Sequence, residues 1–162
     1  MIAALDTTMY HLGQLFLAPV LCAIALLFAY ACVSLGAFLW QSGQRRARRG
    51  AGFELVQAWR AAPQLSQADL ELIALQRLDT ARIATRVAPM LGLVATMIPM
   101  GPALRALGNG QLADVSQALA IAFSAVILAL IAASVTYTVL NVRRRWYAAD
   151  LAQIERLRRE AP

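Results

Sequence analysis

The chain holds 162 residues, 60% of them hydrophobic and only 15% charged, with a net charge of +6. This balance excludes an ordinary soluble domain and describes a membrane protein. The positive charge could point to nucleic acid, but its densest runs, RRARR at Arg45 to Arg49 and RRR at Arg143 to Arg145, both abut apolar stretches. They read as topology signals and anionic-lipid contacts, with no nucleic-acid partner.

A bilayer core about 30 Å thick needs about 20 apolar residues in a helix. Three charge-free runs qualify: Thr7 to Gln44, Val87 to Leu104 and Val115 to Val142. The expected fold is an all-α membrane protein, three transmembrane helices with cytoplasmic helical extensions. Its segments are an outward N-terminal stretch (1–11), a first transmembrane helix (12–40), a cytoplasmic basic loop and helix (41–86), a second transmembrane helix (87–107), a short outer turn (108–114), a third transmembrane helix (115–142) and a cytoplasmic helical tail (143–162).

The first run is expected to remain as an anchor. No positive segment precedes it, and its apolar core from Leu12 to Trp40 exceeds the roughly 7 to 15 residues of a signal peptide's apolar region. Cys22 and Cys32 lie within it, about 15 Å apart on a straight helix, too far to bridge each other. His11 has no Cys, His or acid at metal-ligand spacing, so it reads as an interfacial histidine and no metal site is expected. Tyr10 and Trp40 near the ends of this span, with Trp146 and Tyr147 after the third, fit an interfacial aromatic belt.

Gln41 to Pro63 reads as a connecting segment, and Gln64 to Arg86 as a helix that runs straight into the second span. Ser66 followed by Asp69 resembles an N-cap, acids lead and arginines trail, and Leu70, Ile73, Leu78 and Ala81 share one face. All basic residues are arginine. Eight lie between the first and second spans, six follow the third, and Arg105 alone lies on the other side. The positive-inside rule then places the N-terminus outward and the tail in the cytoplasm.

The second span has no charge between Arg86 and Arg105, yet it carries Pro89, Pro99, Pro102, Gly92, Gly101 and Thr96. Prolines survive in a transmembrane helix where neighbours, hydroxyls or water satisfy the freed carbonyls, so a kinked helix beside protein or a wet cavity is expected. Gly92, Ala95 and Thr96 put small residues on one face. The turn near Asn109 and Gly110 makes an antiparallel hairpin, with Asp114 and Gln117 as the start of the third helix. That run is about 42 Å long and must tilt or project beyond the bilayer. Ala118, Ala122, Ala125, Ala129, Ala132 and Thr136 recur along it at steps of three and four, a packing seam long enough to imply oligomerisation. In the tail, Leu151, Ile154 and Leu157 form a seam for another helix.

Ala88 to Met97, APMLGLVATM, resembles the AP-LLGLLGTV signature that opens the second transmembrane helix of the MotA/TolQ/ExbB proton channel family. More loosely, Ala122 to Leu130 with Leu140, Asn141 and Val142 is similar to the family's EAL-TA-GL…YNV pattern. The resemblance implies a pentamer whose second and third helices surround the single transmembrane helices of two ExbD/TolR-like subunits, which supply a proton-carrying aspartate. It implies an inner-membrane protein of bacteria that couples proton flow to work on the cell envelope or to transport, through a TonB-like protein among the options.

On this resemblance Thr96 is the pore threonine of the second helix. In the third helix the family threonine falls on Val126 if Asn141 is the anchor, and Ser124 is the nearest hydroxyl. The family glycines fall on Ala95 and Ala129. The residues alone favour a Thr96 hydroxyl bonded back to a carbonyl one turn earlier. The apolar stretches 12–40, 87–104 and 115–142 contain no Asp, Glu, His, Lys or Arg, so a partner must supply any proton carrier of the usual kind. Neither a cofactor nor an enzyme is expected: no Ser-His, carboxylate-pair or metal-ligand set lies in the spans. The alternative is a non-conducting structural membrane scaffold assembled through the same small-residue seams.

Overall fold

The computed structural model describes residues 2–47, 53–62 and 64–160, with side chains for 12–47, 53–62 and 64–159. The side chains of Tyr10 and His11, and Arg48, Arg49 and Pro63 entire, lie outside the described residues. Among these are four helices and no strand: α1 (Ile2–Arg46), α2 (Glu54–Ala61), α3 (Gln67–Gly108) and α4 (Leu112–Glu160). Three of them, α1, α3 and α4, are long and apolar enough to cross a membrane. The protein is an all-α membrane protein.

Two compact units divide the chain, Met1–Ala31 with Ala84–Ser134, and Cys32–Ile83 with Val135–Pro162. The second unit holds the only element that the reading of the sequence left unstructured, α2. Eight residues are too few to hold a helix in water by propensity. This one forms because Leu55 (0% exposed) and Val56 are buried against Leu70, Ala74 and Leu78 of α3 and Tyr147 and Ile154 of α4. Burying a Leu or Ile side chain is worth about 1.5–3 kcal/mol, so this cluster is ample to fix a short helix. The apolar faces foreseen on α3 and on the tail of α4 are therefore satisfied within the chain, with Ile73 and Leu151 packed at the edge of the same cluster.

The start of α3 is a reciprocal cap. The Ser66 hydroxyl accepts from the Asp69 N–H at 3.2 Å, while Asp69 Oδ2 accepts from the Ser66 N–H at 2.9 Å and from its hydroxyl at 2.7 Å. These bonds hold the Asp69 carboxyl below its ordinary range. From there α3 continues as one helix through Pro89, Pro99 and Pro102. Pro99 is buried and the other two are half-buried, so none of them faces outward fully.

In the first unit α3 ends in a Schellman turn. Gln111 N–H donates to the Ala106 carbonyl at 2.9 Å and Gly110 N–H to the Leu107 carbonyl at 3.1 Å. Gly110 takes the left-handed conformation (φ 75°) that the motif requires and that a side chain would strain. The chain reverses in three residues, and α4 starts at Leu112, two residues ahead of the expected Asp114 cap. Asp114 lies in the first turn instead, where its charge still favours the helix dipole.

The core of this unit is Val20 and Ile24 of α1, Ala95 of α3, and Ala125 and Ala129 of α4. Small side chains let the backbones approach closely, and van der Waals contact then replaces the hydrophobic drive that lipid does not supply.

Candidate functional site

The site residues read from the sequence fall on α3 and α4 of the first unit. Gly92 and Ala95 are buried, the latter 0% exposed, and so are Ala122, Ala125, Ala129 and Ala132. Ala118, nearer the turn, is half-buried. The small-residue seam is thus filled largely by the chain's own helices. Its tightest point is Gly92, where an added Cβ would lie 3.0 Å from the Ala129 Cβ and 3.7 Å from the Val126 Cα.

Val126 therefore abuts Gly92 at the contact of α3 with α4. Ser124, two residues earlier, is rotated from it by about 200° on a helix of 3.6 residues per turn. It lines an open apolar groove of about 410 Å³ with Leu21, Ile24 and Ala25 of α1 and Ala120, Ile121, Ala125 and Leu128 of α4. Ser124 and Val126 are on opposite flanks of the buried stripe. They are not brought together, and Ser124 does not stand where the missing hydroxyl of Val126 would be.

Thr96 is half-buried on α3, and its hydroxyl donates to the Leu93 carbonyl at 2.7 Å. The Ser124 hydroxyl likewise donates to the Ala120 carbonyl at 2.8 Å. Each hydroxyl has committed its proton to its own helix, which leaves its oxygen lone pairs to accept from another donor. Outside the seam, Met90, Leu93, Met97, Met100 and Leu104 of α3 and Phe123, Ile127 and Leu130 of α4 are large, apolar and exposed. Such faces are stable against lipid or other apolar helices.

The second unit carries a polar cluster that reading the sequence missed. Glu54 of α2 accepts from the Gln41 amide of α1 at 3.0 Å, from the Tyr147 hydroxyl of α4 at 3.0 Å, and from the Arg77 guanidinium of α3. Beside it Arg45 of α1 pairs at 2.6 Å with Asp150 of α4, which is 1% exposed. The Arg45 guanidinium also lies over the rings of Phe53 (4.8 Å) and Trp146 (4.6 Å), and Trp146 stacks on Phe38 at 5.2 Å. Burial pushes the Asp150 carboxyl up; Arg45 opposes that shift and the Glu54 charge adds to it. Burial, with the Glu54 charge, also pushes the Tyr147 phenol up, keeping it a donor.

Two expectations change here. Tyr147, read as part of an interfacial belt, is 3% exposed and points into this cluster. Arg45 and Arg77, read as topology charges, are also structural partners of carboxylates. The available signal was sparse but real: Glu54 is the lone acid between Asp6 and Asp69, and Tyr147, Asp150 and Ile154 follow one another at steps of three and four. No group of three or more His, Cys, Asp or Glu side chains with metal-binding geometry occurs among the described residues.

Residues 57–156, more than half of the chain, match the model of the MotA/TolQ/ExbB proton channel family. The match begins within α2 and takes in all of α3 and nearly all of α4. No curated protein and no solved structure matches the chain.

Proposed function

The chain belongs to the MotA/TolQ/ExbB proton channel family, and from that membership we propose that it is the pore-forming subunit of a motor or energy-transducing channel driven by the proton-motive force. It sits in the bacterial inner membrane, with its N-terminus outside and its arginine-rich loop and tail in the cytoplasm. Five copies surround the single-span helices of two ExbD/TolR-like subunits, and the partner's intramembrane aspartate takes up and releases the proton. The output is work on the cell envelope or transport, in one form through a TonB-like protein. The observation that carries the reading is the family match, because it covers all of α3, on which Thr96 sits, and nearly all of α4.

Thr96 then has a defined task. With its proton committed to Leu93, its oxygen accepts a hydrogen bond from water or from a protonated carboxylic acid. That favours the neutral form of the partner's acid at one stage of its cycle. One elementary charge crossing 100 mV is worth about 2.3 kcal/mol, so a few protons supply useful mechanical work. The flank of α4 opposite Ser124 offers Val126 in place of a hydroxyl, so the polar lining rests on Thr96.

Native mass spectrometry of the chain co-purified with a single-span, aspartate-bearing partner tests the assembly, and a five-to-two complex is expected. In proteoliposomes holding that complex, Thr96→Val is expected to reduce proton flux at least about tenfold, with Thr96→Ser retaining most of it. The non-conducting scaffold is favoured by one observation, that both candidate hydroxyls bond back to their own helix. Unchanged cellular function with Thr96→Val, together with no proton flux through the native assembly, selects the scaffold.

A further inference from the structure

The second unit leaves part of α3 apolar and uncovered where the proposed topology puts water. Leu72 and Leu75 are each more than half exposed, and with the exposed Asp79 they point away from the face on which Leu70, Ala74 and Leu78 are buried. Asp79 makes no ion pair among the described residues. Large apolar side chains grouped around an unpaired acid, outside the apolar span, mark a surface that another protein covers.

α4 carries a counterpart. Opposite its buried Tyr147, Asp150 and Ile154, the exposed Arg145, Ala149 and Ala152 follow one another at steps of four and three. Arg145 also makes no ion pair among the described residues. α3 and α4 pack through their buried faces, so these two exposed faces point apart and cannot meet within one chain.

The two faces nevertheless stand in register. Glu54 Oε2 accepts from both Arg77 of α3 and Tyr147 of α4, which puts these two residues at about the same level. The helices run in opposite directions from the turn at Gly110, so equal steps in opposite senses from Arg77 and Tyr147 reach equal levels. Asp79 is two residues after Arg77, and Arg145 is two before Tyr147. Leu75 and Leu72 are two and five before Arg77, and Ala149 and Ala152 are two and five after Tyr147. The acid is therefore level with the arginine, and each leucine is level with an alanine.

We propose that these faces are the two halves of one contact between copies of this chain: Leu72, Leu75 and Asp79 of one copy dock on Ala152, Ala149 and Arg145 of the next. A rotation axis running along the helices keeps every residue at its own level, so the neighbour brings arginine to acid and alanine to leucine. The leucines seat against the small side chains, and the charge pair fixes the register. Different faces meet, so the contact is heterologous and passes from copy to copy around a closed ring. The proposed function supplies the further copies and the placement of this unit in water; the structure supplies which faces meet.

Disulfide trapping in proteoliposomes tests the docking, in the full chain with Cys22→Ser and Cys32→Ser. Leu75→Cys combined with Ala149→Cys is expected to give a ladder of cross-linked copies on oxidation. Mixing a Leu75→Cys chain with an Ala149→Cys chain is expected to stop at dimers, and Leu75→Cys alone to give none. Asp79→Arg in the double-cysteine chain is expected to cut the ladder at least about fivefold, and adding Arg145→Asp to restore it to within about twofold, because the reversed pair attracts as the native one does. That rescue also shows that the charge variants fold. Dimers of Leu75→Cys alone, an undiminished ladder with Asp79→Arg, or failure of the rescue would each overturn the contact. A five-to-two complex in native mass spectrometry without the ladder overturns the docking and leaves the motor reading standing, whereas the ladder with no proton flux does the reverse.

Discussion

The two units of this chain solve the same problem with opposite chemistry. In the first, the residues at the centre of the α3–α4 contact are Gly92, Ala95, Ala125 and Ala129, and among the described residues of this unit no polar side chain is buried. In the second, Leu55, Leu70, Ile154 and Tyr147 pack beside a buried Arg45–Asp150 pair and a carboxylate that accepts from three helices. The proposed placement of the first unit in lipid and the second in water accounts for the contrast. Lipid tails are as apolar as a leucine, so helices associate there through close backbone approach, whereas water rewards burial of large side chains. Polar groups then fix which helix meets which, because each buried donor and acceptor must be matched.

That comparison is most directly broken at Asp150. Replacing it with leucine leaves Arg45 buried without its carboxylate, and the expected loss is about 3–5 kcal/mol of stability. Adding Arg45→Met to Asp150→Leu is expected to restore most of the loss, because removing both charges removes the uncompensated one. Denaturant unfolding in detergent, followed by tail proteolysis, measures both variants. A neutral single variant would deny the ion pair its place in the cluster. Next in size, Ile154→Ala is expected to cost about 2–5 kcal/mol by the same measurement, since the side chain is almost wholly buried among α2 and α3 residues.

The membrane unit should respond to addition rather than deletion. Gly92→Ala places a methyl 3.0 Å from the Ala129 Cβ, and about 1–3 kcal/mol of destabilisation is expected. Ala129→Gly in the same chain should recover it, and failure of that rescue would mean that the two helices are not held apart at this point.

The smallest effect is the pH response of the second unit. The folded-state pKa of Asp150 is raised above its ordinary 3.8. The folded chain therefore holds this proton where the unfolded chain has lost it. Between 3.8 and the raised value, stability falls as pH rises, and the penalty is fully present above that window. Asp69, whose pKa is lowered, acts with the opposite sign: its contribution is present above its ordinary pKa and lost as pH falls through the lowered one. Unfolding midpoints of the native chain and Asp150→Asn across mildly acidic pH separate the two, and the Asp150 slope should vanish in the variant.

Much of the local structure was readable because it is written in short spacings. Ser66 and Asp69 are three residues apart, the alanines of α4 recur every three or four, and Asn109 and Gly110 sit between two long apolar runs. Helix caps, packing faces and a tight turn depend on just such intervals. The same arithmetic also separates Ser124 from Val126, because two residues on a helix turn the side chain about 200°. α2 was not readable in this way. Its eight residues are good helix formers but too few to hold a helix alone, and the contacts that fix them come from α3 and α4.

The sequence by itself determined the membrane class, the three long helices, the cap of α3, the hairpin and the small-residue stripes, since hydropathy, periodicity and turn chemistry are local properties. Only the tertiary structure decided that those stripes close on the chain's own helices, that Glu54 joins four helices, and that Arg45 meets Asp150 across 105 residues of sequence. Pairing at that distance is set by which helices pack together and what solvent surrounds them, and neither leaves a spacing in the chain.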